Sequence, residues 1–190
     1  MAKLSVKYGV MGSNKSAELI MTAYKYEKAG LNVLVLKPEI DTKGNDYIIS
    51  RIGLKRKVDH VLGKDQSIKD LVPKDTTIIL IDECQFLTIN QARELYELAI
   101  KDDIPTIAYG LRTDFKNEPF PAMSYLLSMA HSIYDLKSIC ECGKIATVNL
   151  RLVNGEVTFE GDTVLIDDKT DVSYKAVCYN CYVKERDKHK

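Results

Sequence analysis

Apolar positions along this chain fall into two rhythms. Short continuous runs, Leu4 to Tyr8, Val33 to Leu36, Ile78 to Ile81 and Thr106 to Tyr109, read as strands buried on both faces. Between them, Lys15 to Lys28 carries Leu19, Ile20, Ala23 and Tyr24 along one stripe, and Asn90 to Lys101 carries Ala92, Leu95, Tyr96 and Ala99. Both are the pattern of a helix with one face on a core. Gly30 suits the stop of the first helix and Pro38 the end of the second strand. Asp65 to Leu71 reads as a short helix, Met123 to Ala130 as a longer one, and Ile133 to Ile139 as a strand. Asp41 to Val58 is polar and rich in charge, and is expected to be a long mobile loop with Lys55-Arg56-Lys57 as a solvated turn. Strands alternating with helices predict an α/β fold built on a parallel sheet flanked by helices.

The chemistry sits at the strand ends. The first strand runs into Gly9-Val10-Met11-Gly12-Ser13-Asn14-Lys15-Ser16 and then a helix. This is the phosphate-loop pattern G-x-x-x-x-G-K-[ST] of the P-loop NTPases with one position changed, Asn14 for Gly. Such a loop curls so that successive N–H groups face one anion, which asks for positive φ near the Lys. Asn tolerates that region better than other residues with a side chain. If the loop binds a nucleotide, Lys15 reaches the β- and γ-phosphates and Ser16 sits on Mg²⁺. The alternative is an ordinary Gly-rich turn. The third run ends in Asp82-Glu83, a buried strand delivering a carboxylate at its carboxyl end, where ligands bind in open parallel sheets. Asp82 could hold Mg²⁺, directly or through water, and Glu83 could be a general base. Cys84 reads as a small buried filler. After the fourth run, Leu111, Phe115 and Phe120 stand in a polar loop, where they either form an apolar slot for a flat base or pack back on the core.

Composition narrows this. The chain has 190 residues, with 27 Lys+Arg against 27 Asp+Glu and a formal net charge of zero, so no basic field recruits nucleic acid or an anionic membrane. No apolar run reaches membrane-spanning length and the N-terminus lacks a signal-peptide core, so a cytoplasmic protein is expected. Of five cysteines, Cys84 stands alone, while Cys140 and Cys142, and Cys178 and Cys181, form close pairs. In a reducing compartment such pairs hold metal more often than they form bridges. They bracket two β-like stretches, Ala146 to Leu152 and Val157 to Ile166. The expectation is a small β-rich zinc lobe with a closed, structural site. The charged tail after Cys181 is expected to fray. Residues 1–136 are then expected to form the P-loop α/β domain and 137–190 the zinc-binding lobe and tail.

The motifs in order resemble the type II thymidine kinases, the zinc-containing class, in its bacterial branch. They are the Gly9–Ser16 loop with Met11 inside it, Asp41-Thr42, Ser50-Arg51-Ile52-Gly53, and Ile81-Asp82-Glu83-Cys84-Gln85-Phe86. Tyr109-Gly110-Leu111-Arg112-Thr113-Asp114-Phe115, Pro119-Phe120, Cys140-x-Cys142-Gly143 and Tyr174 before Cys178 complete the set. The resemblance covers nearly the whole chain. It implies transfer of the ATP γ-phosphate to the 5′-hydroxyl of thymidine, with Glu83 taking the hydroxyl proton. It implies an ATP site made of residues 9–16 with Asp82, Glu83, Cys84 and Gln85. Met11, Phe86, Leu111, Phe115 and Phe120 would line the base pocket, with the segment between the cysteine pairs as a lasso and Tyr174 packing on it. It further implies a homotetramer inhibited by dTTP. Asn14 departs from the family's usual Gly, and Lys43 stands where many members have Arg, which keeps charge but loses the bidentate fork. The competing readings are a nucleotide-binding relative without turnover, and a nucleic-acid module on the zinc lobe, disfavoured by zero net charge and by Asp167-Asp168 beside it.

Overall fold

The computed structural model describes residues 2–41, 44–163 and 171–189. The elements run β1 (Leu4–Tyr8), α1 (Lys15–Lys28), β2 (Val33–Pro38), β3 (Tyr47–Ile49), β4 (Lys55–Lys57) and β5 (His60–Leu62). Then come β6 (Ile78–Ile81), α2 (Ile89–Lys101), β7 (Thr106–Gly110), α3 (Pro121–Met129) and β8 (Ser132–Asp135). The last part holds β9 (Ser138–Ile139), β10 (Ile145–Ala146), β11 (Val148–Val153), β12 (Glu156–Thr158), β13 (Val172–Val177) and α4 (Tyr179–Lys188).

A six-stranded sheet in the order β5-β2-β6-β7-β1-β8 forms the body, and every pairing in it is parallel. Alternate residues of its strands face opposite layers. Leu34, Leu36, Ile79 and Ile81 pack with Leu95, Ala99, Met123 and Leu126 of α2 and α3. Val35, Ile78 and Leu80 pack with Leu19 and Ala23 of α1 on the other side. Each fully buried aliphatic side chain contributes roughly 1.5–3 kcal/mol, so this two-faced burial is why the runs read as continuous rather than alternating. Helix α2 starts on a capping box. The Thr88 hydroxyl accepts from the Gln91 N–H at 3.2 Å, and the Gln91 side chain accepts from the Thr88 N–H at 3.0 Å.

Several expectations need correction. The stretch read as a loop from Asp41 to Val58 contains an antiparallel hairpin, β3 on β4, so the basic triplet is a strand and not a turn. Buried Ile48 and Val58 anchor it, and Arg56 pairs with Glu27 on α1 at 2.6 Å. Thr42 and Lys43 lie outside the described residues. Of the helix expected over Asp65 to Leu71, only a 3-10 turn at Lys69–Leu71 forms, because Glu94 on α2 takes the Ser67 hydroxyl and the Ile68 N–H. The strand expected over Ile133 to Ile139 is broken into β8 and β9, which belong to different sheets. The chain after Cys181 continues as α4 to Lys188 where a frayed tail was expected, held by Tyr182, which is buried and donates to the Phe115 carbonyl at 3.1 Å. The stretch from Val157 leaves strand geometry after Thr158, and its end at Ile166, like Asp167-Asp168, lies outside the described residues.

The cysteine-bearing lobe centres on β11, flanked by β12 and β13 in an antiparallel sheet. Its small core joins Ala146, Val148, Leu150, Val177 and Tyr182 to Val10 of the phosphate loop. Asn149 Oδ1 accepts from the Met11 N–H at 2.9 Å, so lobe and loop are tied by a hydrogen bond as well.

Candidate active site

β1 delivers the loop Gly9–Ser16 to the N-terminus of α1. Its shape depends on residues that fit only there. A Cβ on Gly9 would lie 2.3 Å from the Ser13 hydroxyl and 2.4 Å from the Leu136 carbonyl. Gly12 has φ 79° and Asn14 φ 63°, so Asn14 does occupy the left-handed region. Asn14→Ala should therefore lose about 1 kcal/mol and lower the melting temperature by roughly 2–4 °C, while Asn14→Gly should stay near the parent; differential scanning calorimetry checks this. The Lys15 ammonium is folded into the loop, donating to the carbonyls of Gly9 at 2.9 Å and Val10 at 2.8 Å and to the Ser13 hydroxyl at 3.3 Å. Burial lowers its pKa below the ordinary lysine value, with Glu83 and Asp82 acting against that.

The acidic pair stands at the end of β6, two places from β1 in the sheet. The Ser16 hydroxyl donates to Asp82 Oδ2 at 2.9 Å. Burial, and then the charge of Glu83, push Asp82 up to about 7. A buried carboxylate and a hydroxyl in contact are an oxygen donor set that suits Mg²⁺. Glu83 has φ 49°, a left-handed conformation rare for a residue with a side chain. Its Oε2 accepts from the Gln85 side-chain amide at 2.5 Å, and Gln85 Oε1 accepts from the Leu111 N–H at 2.9 Å. The Gln85 side chain is thus engaged by Glu83 and Leu111. Cys84 is fully buried in the core, and burial drives its thiol pKa well up, which fits a filler.

Two clefts meet at Glu83. One is polar, lined by Gly12, Asn14, Lys15, Ser16, Arg51 and Glu83, with Arg51 presented by the β3–β4 turn over Gly12. The other is an apolar cavity of about 160 Å³. Met11, Phe86, Leu111, Phe115, Phe120 and Tyr174 all line it, joined by Asp41, Glu83, Asn149 and Thr163. Phe86 and Phe120 meet edge to face at 5.7 Å. Phe120 also belongs to the core, so both readings of that loop hold for it. Asn149 and Thr163 carry no local motif, and only their place in the fold brings them here.

The sulfurs of Cys140, Cys142, Cys178 and Cys181 lie within 4.8 Å of one another and could hold a metal ion. Backbone N–H groups of Cys142 and Cys178 aim at the Cys140 sulfur and lower its pKa to about 6. Hydrogen bonds with the neighbouring sulfurs, Cys178 first, push Cys181 up to about 12. Backbone N–H groups aimed at the cluster favour the thiolate, the form that binds a cation.

A parallel sheet, a phosphate loop at one strand end and a buried acid two strands away place the chain in the α/β class of P-loop folds. A family model described as Thymidine kinase matches residues 2–182. The chain is 40% identical over 186 residues to the thymidine kinase of Legionella pneumophila (strain Lens), covering 94% of this chain and 88% of that protein. It is also 40% identical over 185 residues to that of Rhodopirellula baltica, covering 94% and 86%. It is 37% identical over 180 residues to that of enterobacteria phage T4, covering 91% and 93%. The chain belongs to the thymidine kinase family.

Proposed function

We propose that the chain transfers the γ-phosphoryl group of ATP to the 5′-hydroxyl of thymidine, giving dTMP and ADP. The thymidine 5′ oxygen bonds to the γ-phosphorus, the bond from that phosphorus to the β–γ bridging oxygen breaks, and the hydroxyl proton passes to the Glu83 carboxylate. The observation that carries this reading is the place of Glu83, at the junction of the polar loop cleft and the aromatic cavity. A base there faces both the donor and the acceptor.

Phosphoryl transfer depends on positioning and charge more than on covalent help from the protein. Residues 9–16 with Lys15 cradle the phosphates, and the helix N-terminus adds its positive end. Ser16 and Asp82 would hold Mg²⁺, which when bound neutralises charge on the β- and γ-phosphoryl oxygens. Met11, Phe86, Leu111, Phe115, Phe120 and Tyr174 take the thymine ring on apolar and aromatic faces. Residues 1–136 form the kinase domain in this reading and 137–190 the lasso domain, with Zn²⁺ on the cysteine cluster as a structural ion. Four thiolates suit zinc and leave no open position for catalysis. Homotetramer assembly, dTTP feedback and a cytoplasmic setting belong to the same reading.

Regiochemistry tests it. With Mg-ATP, thymidine lacking its 3′-hydroxyl should still be phosphorylated, and thymidine lacking its 5′-hydroxyl should not. Phosphorylation of the 5′-deoxy compound would refute the assignment.

A further inference from the structure

Arg151 lies mid-strand in β11 and is fully buried. A buried guanidinium is costly unless its donors are used. Here they are used on the walls of the aromatic cavity. Nε donates to the Tyr174 hydroxyl at 3.1 Å, Nη1 to the Asp162 carbonyl at 2.5 Å and Nη2 to the Thr163 carbonyl at 2.7 Å. The guanidinium carbon stands 3.7 Å from the Phe115 ring centroid and 5.5 Å from that of Tyr174. Among the described residues no carboxylate pairs with it, so carbonyls, a phenol and ring faces compensate the charge. The Thr163 hydroxyl donates in turn to Asp114 Oδ2 at 3.1 Å, and Asp114 Oδ1 accepts the N–H groups of Lys116 and Glu118. Three cavity walls, Phe115, Thr163 and Tyr174, are therefore set by one side chain that does not itself line the cavity.

We propose that Arg151 is a positioning residue for the nucleoside: it fixes the spacing of the Phe115 and Tyr174 rings and holds residues 162–163 against them. This deepens the reading of the cavity as the thymidine site and rests on it. The task needs arginine. A planar fork can stack on Phe115 while donating in three directions, whereas a lysine ammonium can replace the charge but not the plane. A purely structural arginine would act on stability alone and leave the surviving enzyme's KM values unchanged. A positioning arginine acts on the acceptor and not on the donor.

The test is steady-state kinetics of the full metal-replete chain and its Arg151→Lys variant, with thymidine and ATP varied separately and 2′-deoxycytidine as competitor. The expected result is a thymidine KM raised 10- to 100-fold, an ATP KM within about twofold, and reduced preference for thymidine over deoxycytidine. Tyr174→Phe, which removes only the hydroxyl that accepts from Nε, should raise the thymidine KM several-fold on its own. It should add less than its full effect to Arg151→Lys, since the two act on one contact. If Arg151→Lys does not fold, Tyr174→Phe alone decides. Unchanged thymidine KM in the variants that fold, or thymidine and ATP KM rising together, overturns the proposal. Failure of the unaltered chain to use thymidine would instead remove the reading beneath it.

Discussion

Glu83→Gln lowers kcat for thymidine phosphorylation by about 10²- to 10⁴-fold, the usual contribution of a positioned general base, and leaves thymidine affinity within a few-fold. The substitution keeps the shape and the left-handed backbone at residue 83 and removes only the capacity to take a proton. The replacement amide can turn its oxygen toward the Gln85 side chain, so the contact onward to the Leu111 N–H survives. The apolar cavity should therefore keep its form. Steady-state turnover together with calorimetric thymidine binding separates the two effects. Unchanged kcat would remove Glu83 from its role, and lost binding would make it a structural acid.

Cys178→Ser abolishes metal retention and loosens the lobe. Structural zinc in small domains is worth roughly 10–16 kcal/mol at neutral pH, as much as the whole stability of a typical domain, so the effect should far exceed that of a core truncation. Cys178 also starts α4, and Tyr182 on that helix ties the lobe to Phe115. Loss of the site should reach the cavity as a higher thymidine KM, while the six-stranded sheet, whose core is separate, keeps its circular dichroism. Zinc analysis of the purified variant and thermal melts read both. A variant with full metal content and an unchanged melt would contradict a structural site.

The chemistry most legible in the sequence lay where it is continuous along the chain. Gly9–Ser16 and Ile78–Glu83 are each one strand end and one turn, so residue order states their geometry. The aromatic cavity is different. Met11, Phe86, Leu111, Phe115, Phe120 and Tyr174 come from separate stretches, and no spacing rule joins them; the family resemblance did so. Arg151 stayed hidden because a charged residue within an alternating strand reads as solvent-facing. Its burial is decided by Phe115 and by residues 162–163, which fold back from elsewhere. The β3–β4 hairpin was missed because β3 is an apolar run of only three residues, Tyr47–Ile49, and β4 is Lys-Arg-Lys throughout, so pattern alone reads a loop. Helix α4 was missed for a related reason: it is mostly polar, and its fixed point, Tyr182, is held by tertiary contact.

The measurement that bears most directly on the account is product formation by purified, zinc-replete chain supplied with Mg-ATP and thymidine as sole nucleoside. Equal amounts of dTMP and ADP, dependent on both substrates, are the predicted result. Thymidine bound but no dTMP formed would contradict it and turn attention to Asn14 in the phosphate loop.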